Sequence, residues 1–413
     1  MHRQKLNSKH SESLAHLWQP IVHATAQRES AWIEFRRRLH RAPEPSGHER
    51  HTSQAICEQL KAAGIAATIP ERGVGAVANF ALGHATNDSP TIALRADIDA
   101  LRMNDQKTTA YASQKPGLAH TCGHDVHTTI MCAAAELLNH LQSTVPGEKL
   151  PAINIRLLFQ AAEESCQGAL WMIEDGMLEN VDCILGLHVE PQLPVGQIGI
   201  CYGTLTAQVD EVHITLHGIG GHTARPHNTT DPIAAAAMLI TTLHQMLPRT
   251  VDVRDASVFS FGTVSGGTAS NVIPDRVQLS GTLRTTDRDS REKLMERIRL
   301  AVESVASLTG NEIALQFAKP LGSVRNSQRP TSAFELAGRQ VLGDAGIVLL
   351  TRPSMGGEDF AMYLDHVPGS QIRLGCAGND HNWPLLHSPV FDVDEATISI
   401  GARVVALTTL LLG

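Results

Sequence analysis

The sequence predicts an α/β protein with a mostly parallel, mixed sheet that has helices on both faces, and with a smaller α+β domain inserted into it. In the first half of the chain, strand-like runs alternate with helix-like runs, which is typical of a sheet covered on both faces. After about Ala207 the order becomes strand, helix, two strands, helix and strand. That order is typical of a ferredoxin-like sheet with its helices on one side.

The elements of the first half follow from hydrophobic periodicity and from stop signals. Apolar residues recur with a helical period over residues 14–40, and two prolines then end the helix. Ser46 and Glu49 have the spacing of a capping box for a second helix, which Gly64 ends. A third helix is expected near residues 128–141, and strands over 75–82, 91–96, 153–159 and 181–189.

The inserted domain is assigned to residues 207–319, and the larger domain to residues 1–206 and 320–413. Within the insert, strands are predicted at 209–216, 256–264, 277–285 and 312–317, with helices at 232–247 and 290–308. Because the larger domain resumes after the insert, the two ends of the insert are expected to lie close together. Residues 1–17 are expected to form a flexible extension.

Composition excludes several classes of protein. The formal net charge of −8 argues against a nucleic-acid or anionic-membrane surface, which would need a basic patch. No apolar run approaches the roughly 20 residues that span a bilayer, and the polar N-terminus lacks the apolar core of a secretory signal. Seven scattered cysteines favour reduced thiols over a disulfide framework. A cytoplasmic location is therefore expected.

The densest group of metal-binding residue types is the segment His120–His127, where Cys122 and His124 are separated only by Gly123. In a non-helical loop this spacing lets a thiolate and an imidazole turn toward one point, and glycine permits the turn. Such ligands favour zinc, cobalt, nickel or manganese over magnesium. The alternative is a polar loop that caps the following helix, with Asp125 as its N-cap.

Three further features add possible ligands. Glu163 and Glu164 directly follow a predicted buried strand, where adjacent carboxylates repel one another unless cations neutralise them. One could bind metal while the other accepts a proton from water; alternatively, they are a solvated pair that opens a helix. His188 ends another strand and His387 lies on a C-terminal loop, and either could equally be structural. Together the four features provide a thiolate, three imidazoles and a carboxylate for a two-metal site.

These residues lie in segments that resemble the aminoacylase/carboxypeptidase superfamily of dinuclear metallohydrolases. The likeness is greatest to its hippurate hydrolase and N-acyl-amino-acid amidohydrolase branch, which includes the plant auxin-conjugate hydrolases. The resemblance implies a zinc-exopeptidase-like fold with an inserted lid. It runs from about Arg36 to the end of the chain through the blocks RRRLHRAPEPSGHE, LRADIDAL, HTCGHDVHTT, FQAAEES, GLHV, GIGGHTARPHNTTDPI, SGGTASNVIPD, GTLRT, GGEDF and LHSPVF.

The resemblance also implies a role for each site residue. Cys122 is expected to bridge two divalent metal ions, with His124 and His188 completing one metal site and Glu164 and His387 the other. Glu163 is expected to be the general base, and Asp97 to orient a neighbouring ligand. In the lid, the family pattern assigns oxyanion stabilisation to His222 and Asn271, and binding of the substrate carboxylate to Arg284. Each of these three could instead have a purely structural role.

The implied substrate is an N-acyl amino acid, and a homodimer formed through the lid is favoured. Two rivals stay open: an exopeptidase that acts on dipeptides with a free amine, and a catalytically silent metal- or ligand-binding protein on the same scaffold. The chain also departs from the family pattern at a few positions without losing a ligand or the base. Cys166 and Thr223 are two such positions, and they put the acyl specificity in doubt.

Overall fold

The computed structural model describes residues 15–378 and 382–413. The chain forms two compact units. The first contains the described residues of Met1–Leu205, Val324–Thr351 and Asp359–Gly413, and the second contains Thr206–Ser323 and Arg352–Glu358. Among the described residues, every helix is too short or too polar to span a lipid bilayer.

Nine helices of the described residues are labelled here in chain order: α1 Ala15–Arg41, α2 Arg50–Ala62, α3 His124–Thr144, α4 Gly168–Glu174, α5 Pro232–Met246, α6 Arg288–Thr309, α7 Gln328–Leu342, α8 Phe360–Leu364 and α9 Ala396–Leu412. The strands are β1 Ala67–Thr68, β2 Ala76–Leu82, β3 Thr91–Asp97, β4 Ile153–Gln160, β5 Cys183–Pro194, β6 Ile198–Ile200, β7 Gly203–Thr204, β8 Gln208–His217, β9 Gly221–His222, β10 Ser257–Gly266, β11 Val272–Ile273, β12 Arg276–Thr285, β13 Glu312–Leu321, β14 Arg325–Asn326, β15 Ile347–Leu349 and β16 Gly369–Ala377.

The first unit is built on an eight-stranded sheet in the order β1-β2-β4-β3-β5-β16-β6-β15. Its central strands β4, β3, β5 and β16 are parallel. The strands alternate between two apolar clusters, so that Leu94 packs in one cluster and its neighbour Ala93 in the other. The first cluster includes residues of α1, α3 and α9, and the second includes residues of α4 and α8. The predicted sheet with helices on both faces is confirmed.

Parallel pairing brings several chain segments to one edge of this sheet. Asp97, the last residue of β3, lies opposite Gln160, the last residue of β4. The residues that follow, among them Asp99 and Glu163, therefore leave the sheet side by side at its carboxyl edge. His188 lies on β5 beyond the stretch that pairs with β3. This edge is where ligand sites form in open α/β sheets.

The second unit has the strand and helix order predicted for the insert. Strands β10, β12, β8 and β13 form an antiparallel sheet in that order, which is the ferredoxin-like arrangement. Helices α5 and α6 pack on one face of the sheet, where Leu239 and Ile298 join Val212, Ile214 and Leu279 in one core. The inserted α+β fold is therefore as expected.

Three local predictions differ from the structure. The helix expected near residues 128–141 begins earlier, at His124. Ser46 and Glu49 do not form a capping box, because Glu49 itself precedes α2 and both side chains bond elsewhere. Of the extension predicted for residues 1–17, residues 1–14 lie outside the described residues, whereas α1 begins at Ala15 and Leu17 is buried.

The assignment of all of residues 320–413 to the larger domain also differs from the structure. The short segment Arg352–Glu358 belongs to the second unit. Its backbone is tied there by two hydrogen bonds: the N–H of Ala207 donates to the carbonyl of Ser354, and the Arg284 side chain donates to the carbonyl of Met355. Such pairing between distant segments leaves no mark on sequence periodicity.

Replacement of Arg95 tests how much its buried ion pairs contribute to the stability of the first unit. Its buried guanidinium donates to Asp97 and Asp359, each at 2.7 Å. Replacing Arg95 with Ala leaves both carboxylates without this partner, and we expect the free energy of unfolding of the first unit to fall by about 3–5 kcal/mol. Urea unfolding followed by tryptophan fluorescence measures this loss, because all four tryptophans lie in that unit.

The control is Arg254→Ala, which removes an exposed arginine that pairs with Asp252 in the second unit. Its unfolding transition should match that of the wild type, because exposed ion pairs add little stability. Equal stability of Arg95→Ala and Arg254→Ala would contradict the structural role given to Arg95.

Candidate metal-binding site

Cys122 and His124 lie where the chain enters α3. Gly123 between them has a φ of 88°, and a Cβ there would lie 2.4 Å from a methyl carbon of Val189. Only glycine fits this turn without displacing β5. The turn leaves both Cys122 and His124 buried at the carboxyl edge of the sheet. The predicted non-helical loop thus ends at Gly123, one residue before the helix.

Glu163 and Glu164 lie on a tight loop after β4. The loop is flanked by two residues in the left-handed region, Ala162 with a φ of 57° and Cys166 with a φ of 54°. Backbone strain of this kind costs about 1–3 kcal/mol per residue and is common at functional sites. The loop is closed by the N–H of Cys166, which donates to the carbonyl of Glu163 at 2.7 Å.

His188 and His387 come from distant parts of the chain. The Nδ1 of His188 lies 2.7 Å from the carbonyl oxygen of Val189. As the donor in this bond, Nδ1 carries the hydrogen, and Nε2 is left with a lone pair. His387 is half-exposed, has a φ of 60°, and its N–H donates to the carbonyl of Thr121 at 2.7 Å. That bond holds the C-terminal loop beside Cys122.

The structure brings the five predicted ligands together in two groups that share one sulfur. The ligand atoms of Cys122, His124 and His188 lie within 4.8 Å of one another, and so do those of Cys122, Glu164 and His387. The sulfur of Cys122 is 3.4 Å from Nε2 of His188, and Nε2 of His387 is 3.5 Å from Glu164. Each group therefore offers three ligands to one metal ion, and the sulfur of Cys122 is common to both groups.

Glu163 lies beside this cluster. One of its carboxylate oxygens is 4.0 Å from Nε2 of His124, and the side chain is 11% exposed. Glu164 has an oxygen 3.9 Å from the same nitrogen. The two neighbouring carboxylates therefore both reach the cluster from the one loop between the left-handed residues Ala162 and Cys166.

The electrostatics of the cluster fit divalent cations. Burial raises the pKa of the Cys122 thiol far above its usual range, so a thiolate there needs nearby positive charge. Within the described part of the chain, Nε2 of His124 and Oε1 of Glu164 are buried and have no hydrogen-bond partner. Unpaired buried polar atoms are rare, and these two belong to the two groups that share Cys122. Their residue types suit a metal such as zinc.

A carboxylate behind the cluster orients His124. Nδ1 of His124 is 3.0 Å from Asp99, which also accepts from the N–H of Glu164 at 3.0 Å. The resemblance predicts an orienting role for Asp97, whereas the carboxylate that contacts Nδ1 of His124 is that of Asp99. Asp97 instead lies 2.6 Å from Nδ1 of His127, whose Nε2 accepts from the N–H of Val189. The position of Asp99 in the sequence is the feature that indicates its role. It lies two residues beyond the end of β3, where the chain has left the sheet at its carboxyl edge.

A second buried network supports the start of α3. Asp125 follows His124, and one of its oxygens is 2.7 Å from both Nε of Arg36 and Nδ1 of His40. All three side chains are buried. Arg36 and His40 belong to the block RRRLHRAPEPSGHE, whose polar residues the sequence alone did not place.

The three site residues predicted for the insert all lie in the second unit. Strand β9 pairs His222 with Val272, which places Asn271 next to His222 in the pairing. Nδ1 of His222 accepts from the N–H of Ala224 at 3.0 Å, so Nε2 carries the hydrogen and can donate it. Arg284 donates one N–H to the carbonyl of Met355, which fixes its guanidinium.

Comparisons with known proteins agree with this geometry. Residues 93–410 match the model of peptidase family M20/M25/M40. The chain is 37% identical to N-acetyl-L-cysteine deacetylase of Bacillus subtilis over 90% of this chain and 85% of the relative. It is 35% identical to IAA-amino acid hydrolase ILR1-like 4 of Arabidopsis thaliana, over 90% of this chain and 83% of the relative.

Among solved structures, the chain resembles the YXEP protein of Bacillus subtilis, described as a dinuclear metal-binding peptidase from the M20 family. The TM-score is 0.80 at 32% identity, over 94% of this chain and 98% of the other. The fold and the site together define a metal-dependent amidohydrolase. The chain belongs to peptidase family M20/M25/M40.

Asp99 provides the first test of the site. We expect Asp99→Asn to weaken metal binding by about 10- to 100-fold, because an amide cannot reproduce the charge that orients the imidazole of His124. Competition with a chromophoric zinc chelator, begun from metal-free protein, measures the affinity. The control is Asp88→Asn on an exposed loop. Equal affinities in the two variants would exclude this role for Asp99.

Proposed function

We propose that the protein removes the acyl group from N-acyl amino acids by hydrolysis of the amide bond. One observation carries the proposal: two groups of possible ligands share the sulfur of Cys122, and the carboxylate of Glu163 lies beside them. A two-metal site next to a carboxylate is suited to water activation at neutral pH. The names of the deacetylase and the amino acid hydrolase among its relatives supply the substrate class.

Cys122, His124 and His188 are proposed to bind one divalent ion, and Cys122, Glu164 and His387 the other. Zinc, manganese, cobalt and nickel all suit a set of one thiolate, three imidazoles and one carboxylate. When bound, such ions polarise an amide carbonyl and lower the pKa of water.

Glu163 is the proposed general base. Its carboxylate takes a proton from the attacking water as the new C–O bond forms at the amide carbon. It returns that proton to the nitrogen as the C–N bond breaks, which releases a carboxylic acid and an amine; at neutral pH the acid gives its proton to the amine. Placing Glu163 on a strained, internally bonded loop limits its movement, and a fixed base needs little reorganisation during the reaction.

His222 and Asn271 are proposed to stabilise the negative charge on the carbonyl oxygen. The hydrogen on Nε2 of His222 and the amide of Asn271 are suitable donors, and such donors typically contribute several kcal/mol. Arg284 is proposed to bind the carboxylate of the amino acid. Its bond to Met355 supports this, because a guanidinium held at one nitrogen keeps its other N–H groups in a fixed direction.

Two further expectations stay proposals. A homodimer through the second unit is supported by β10, a ten-residue strand at the edge of its sheet that contains no charged residue or proline. Such an edge favours pairing with another strand. A cytoplasmic location is supported by the seven cysteines, all of which are free thiols.

A substrate panel tests the function and its main rival. We expect protein reconstituted with zinc, manganese, cobalt or nickel to hydrolyse N-acetyl or N-benzoyl amino acids, with much lower kcat/KM for unblocked dipeptides. Release of the free amino acid is measured by amine detection or chromatography. A preference for dipeptides would identify an exopeptidase instead. No hydrolysis of either class with any of the four metals would support a silent metal-binding protein.

Glu163→Gln tests the base. The variant should retain the metal content of the wild type and lose at least about 100-fold in kcat, because an amide cannot accept the proton. Metal content is measured by atomic emission, and rates by amine release. Glu148→Gln, at an exposed position, serves as the control. Loss of metal in parallel with activity would make Glu163 a ligand rather than the base.

A further inference from the structure

The turn at residues 45–49 lies behind the candidate site, and none of the roles proposed so far uses it. Glu49 ends this turn and is completely buried. One of its carboxylate oxygens accepts from the N–H of Ala162 at 2.8 Å and from the N–H of Gly47 at 2.9 Å. A single buried oxygen thus joins the turn to the loop that carries Glu163 and Glu164, 113 positions farther along the chain from Glu49.

Glu49 bonds to the backbone of Ala162, and Ala162 directly precedes the two site carboxylates, Glu163 and Glu164. Ala162 directly precedes Glu163 and has a φ of 57°, a conformation that L residues rarely adopt. Its carbonyl accepts from the N–H groups of Gln167 and Gly168, so the residue is bonded on both sides. A left-handed residue persists only where its surroundings determine it, and Glu49 provides the side-chain bond to its N–H.

The same turn reaches the site at a second point. The hydroxyl of Ser46 donates to Asp99 at 2.7 Å, on the oxygen that accepts from the N–H of Glu164. The other oxygen of Asp99 faces His124. One five-residue turn therefore contacts the backbone on both sides of Glu163, directly through Glu49 and indirectly through Ser46.

We propose that Glu49 is a positioning residue, which holds the Ala162 backbone so that Glu163 and Glu164 point into the cluster. The proposal deepens the proposed function, because it concerns the base and one ligand of the same site. It assigns to Glu49 no contact with substrate or metal. The role requires an acceptor oxygen within hydrogen-bond distance of the N–H of Ala162. Gln can supply this oxygen in place of Glu, whereas Ala has none and the side chain of Asp is too short.

The test compares three variants. Glu49→Ala removes the acceptor, Glu49→Asp draws it back by one methylene, and Glu49→Gln keeps an acceptor oxygen at the same distance from the backbone. Glu58→Ala, on the exposed side of α2, is the matched control. For each variant we measure kcat and KM with an N-acyl amino acid, metal content, and hydrogen–deuterium exchange in the peptide that spans residues 160–168.

We expect Glu49→Ala and Glu49→Asp to lower kcat by about 10- to 100-fold, with KM within about threefold of the wild type, because a small displacement of the base slows the chemical step. The amides of residues 160–168 should exchange at least about tenfold faster, because Ala162 loses its acceptor. Glu49→Gln and Glu58→Ala should stay within about threefold of the wild type in both readouts. Should Glu49→Ala fail to fold, Glu49→Asp and Glu49→Gln still form the decisive pair.

Unchanged kcat and exchange in Glu49→Asp would overturn the proposal, and so would a loss in Glu49→Gln as large as that in Glu49→Asp. Hydrogen exchange separates this result from failure of the proposed function. If the wild type hydrolyses no N-acyl amino acid, the substrate assignment fails. The exchange rates of residues 160–168 still decide whether Glu49 holds the loop.

Discussion

The site depends on the concentration of negative charge at the carboxyl edge of the parallel sheet, because this charge requires cations to balance it. Strands β3 and β4 end side by side, and the residues after them bring Asp99, Glu163 and Glu164 to the buried thiol of Cys122. Burial raises the pKa of the Cys122 thiol, and negative charges held so close together repel one another. The buried guanidinium of Arg95 on β3 is already bonded to Asp97 and Asp359. Divalent ions are therefore the natural counter-charge.

The surrounding structure holds this arrangement through backbone conformations that are individually unfavourable. Ala162, Cys166 and His387 all have positive φ, and all three lie in segments that carry candidate site residues. Gly123 provides a fourth such turn. Hydrogen bonds from distant segments determine these conformations, such as the bond that joins His387 to Thr121. Rigid placement of ligands and base follows from this support, as preorganised catalysis requires.

Much of this could be predicted from the sequence, and the failures have a common cause. The parallel sheet, the inserted fold and the residue types of the cluster follow from periodicity and from motif spacing. The partner of each polar side chain does not. The resemblance predicts that Asp97 orients a ligand, whereas the structure places Asp99 against Nδ1 of His124. The spacing of Ser46 and Glu49 predicts a capping box, whereas the Glu49 carboxylate accepts from the N–H of Ala162. Long-range hydrogen bonds decided both cases, and local patterns carry no record of them.

The most direct measurement is anomalous diffraction from crystals of the metal-loaded protein, recorded at the absorption edge of the bound metal. We expect two anomalous peaks, each about 2.3 Å from the sulfur of Cys122. One should have His124 and His188 as its other ligands, and the second Glu164 and His387. A single peak, or two peaks of which neither is bonded to Cys122, would contradict the shared-sulfur site.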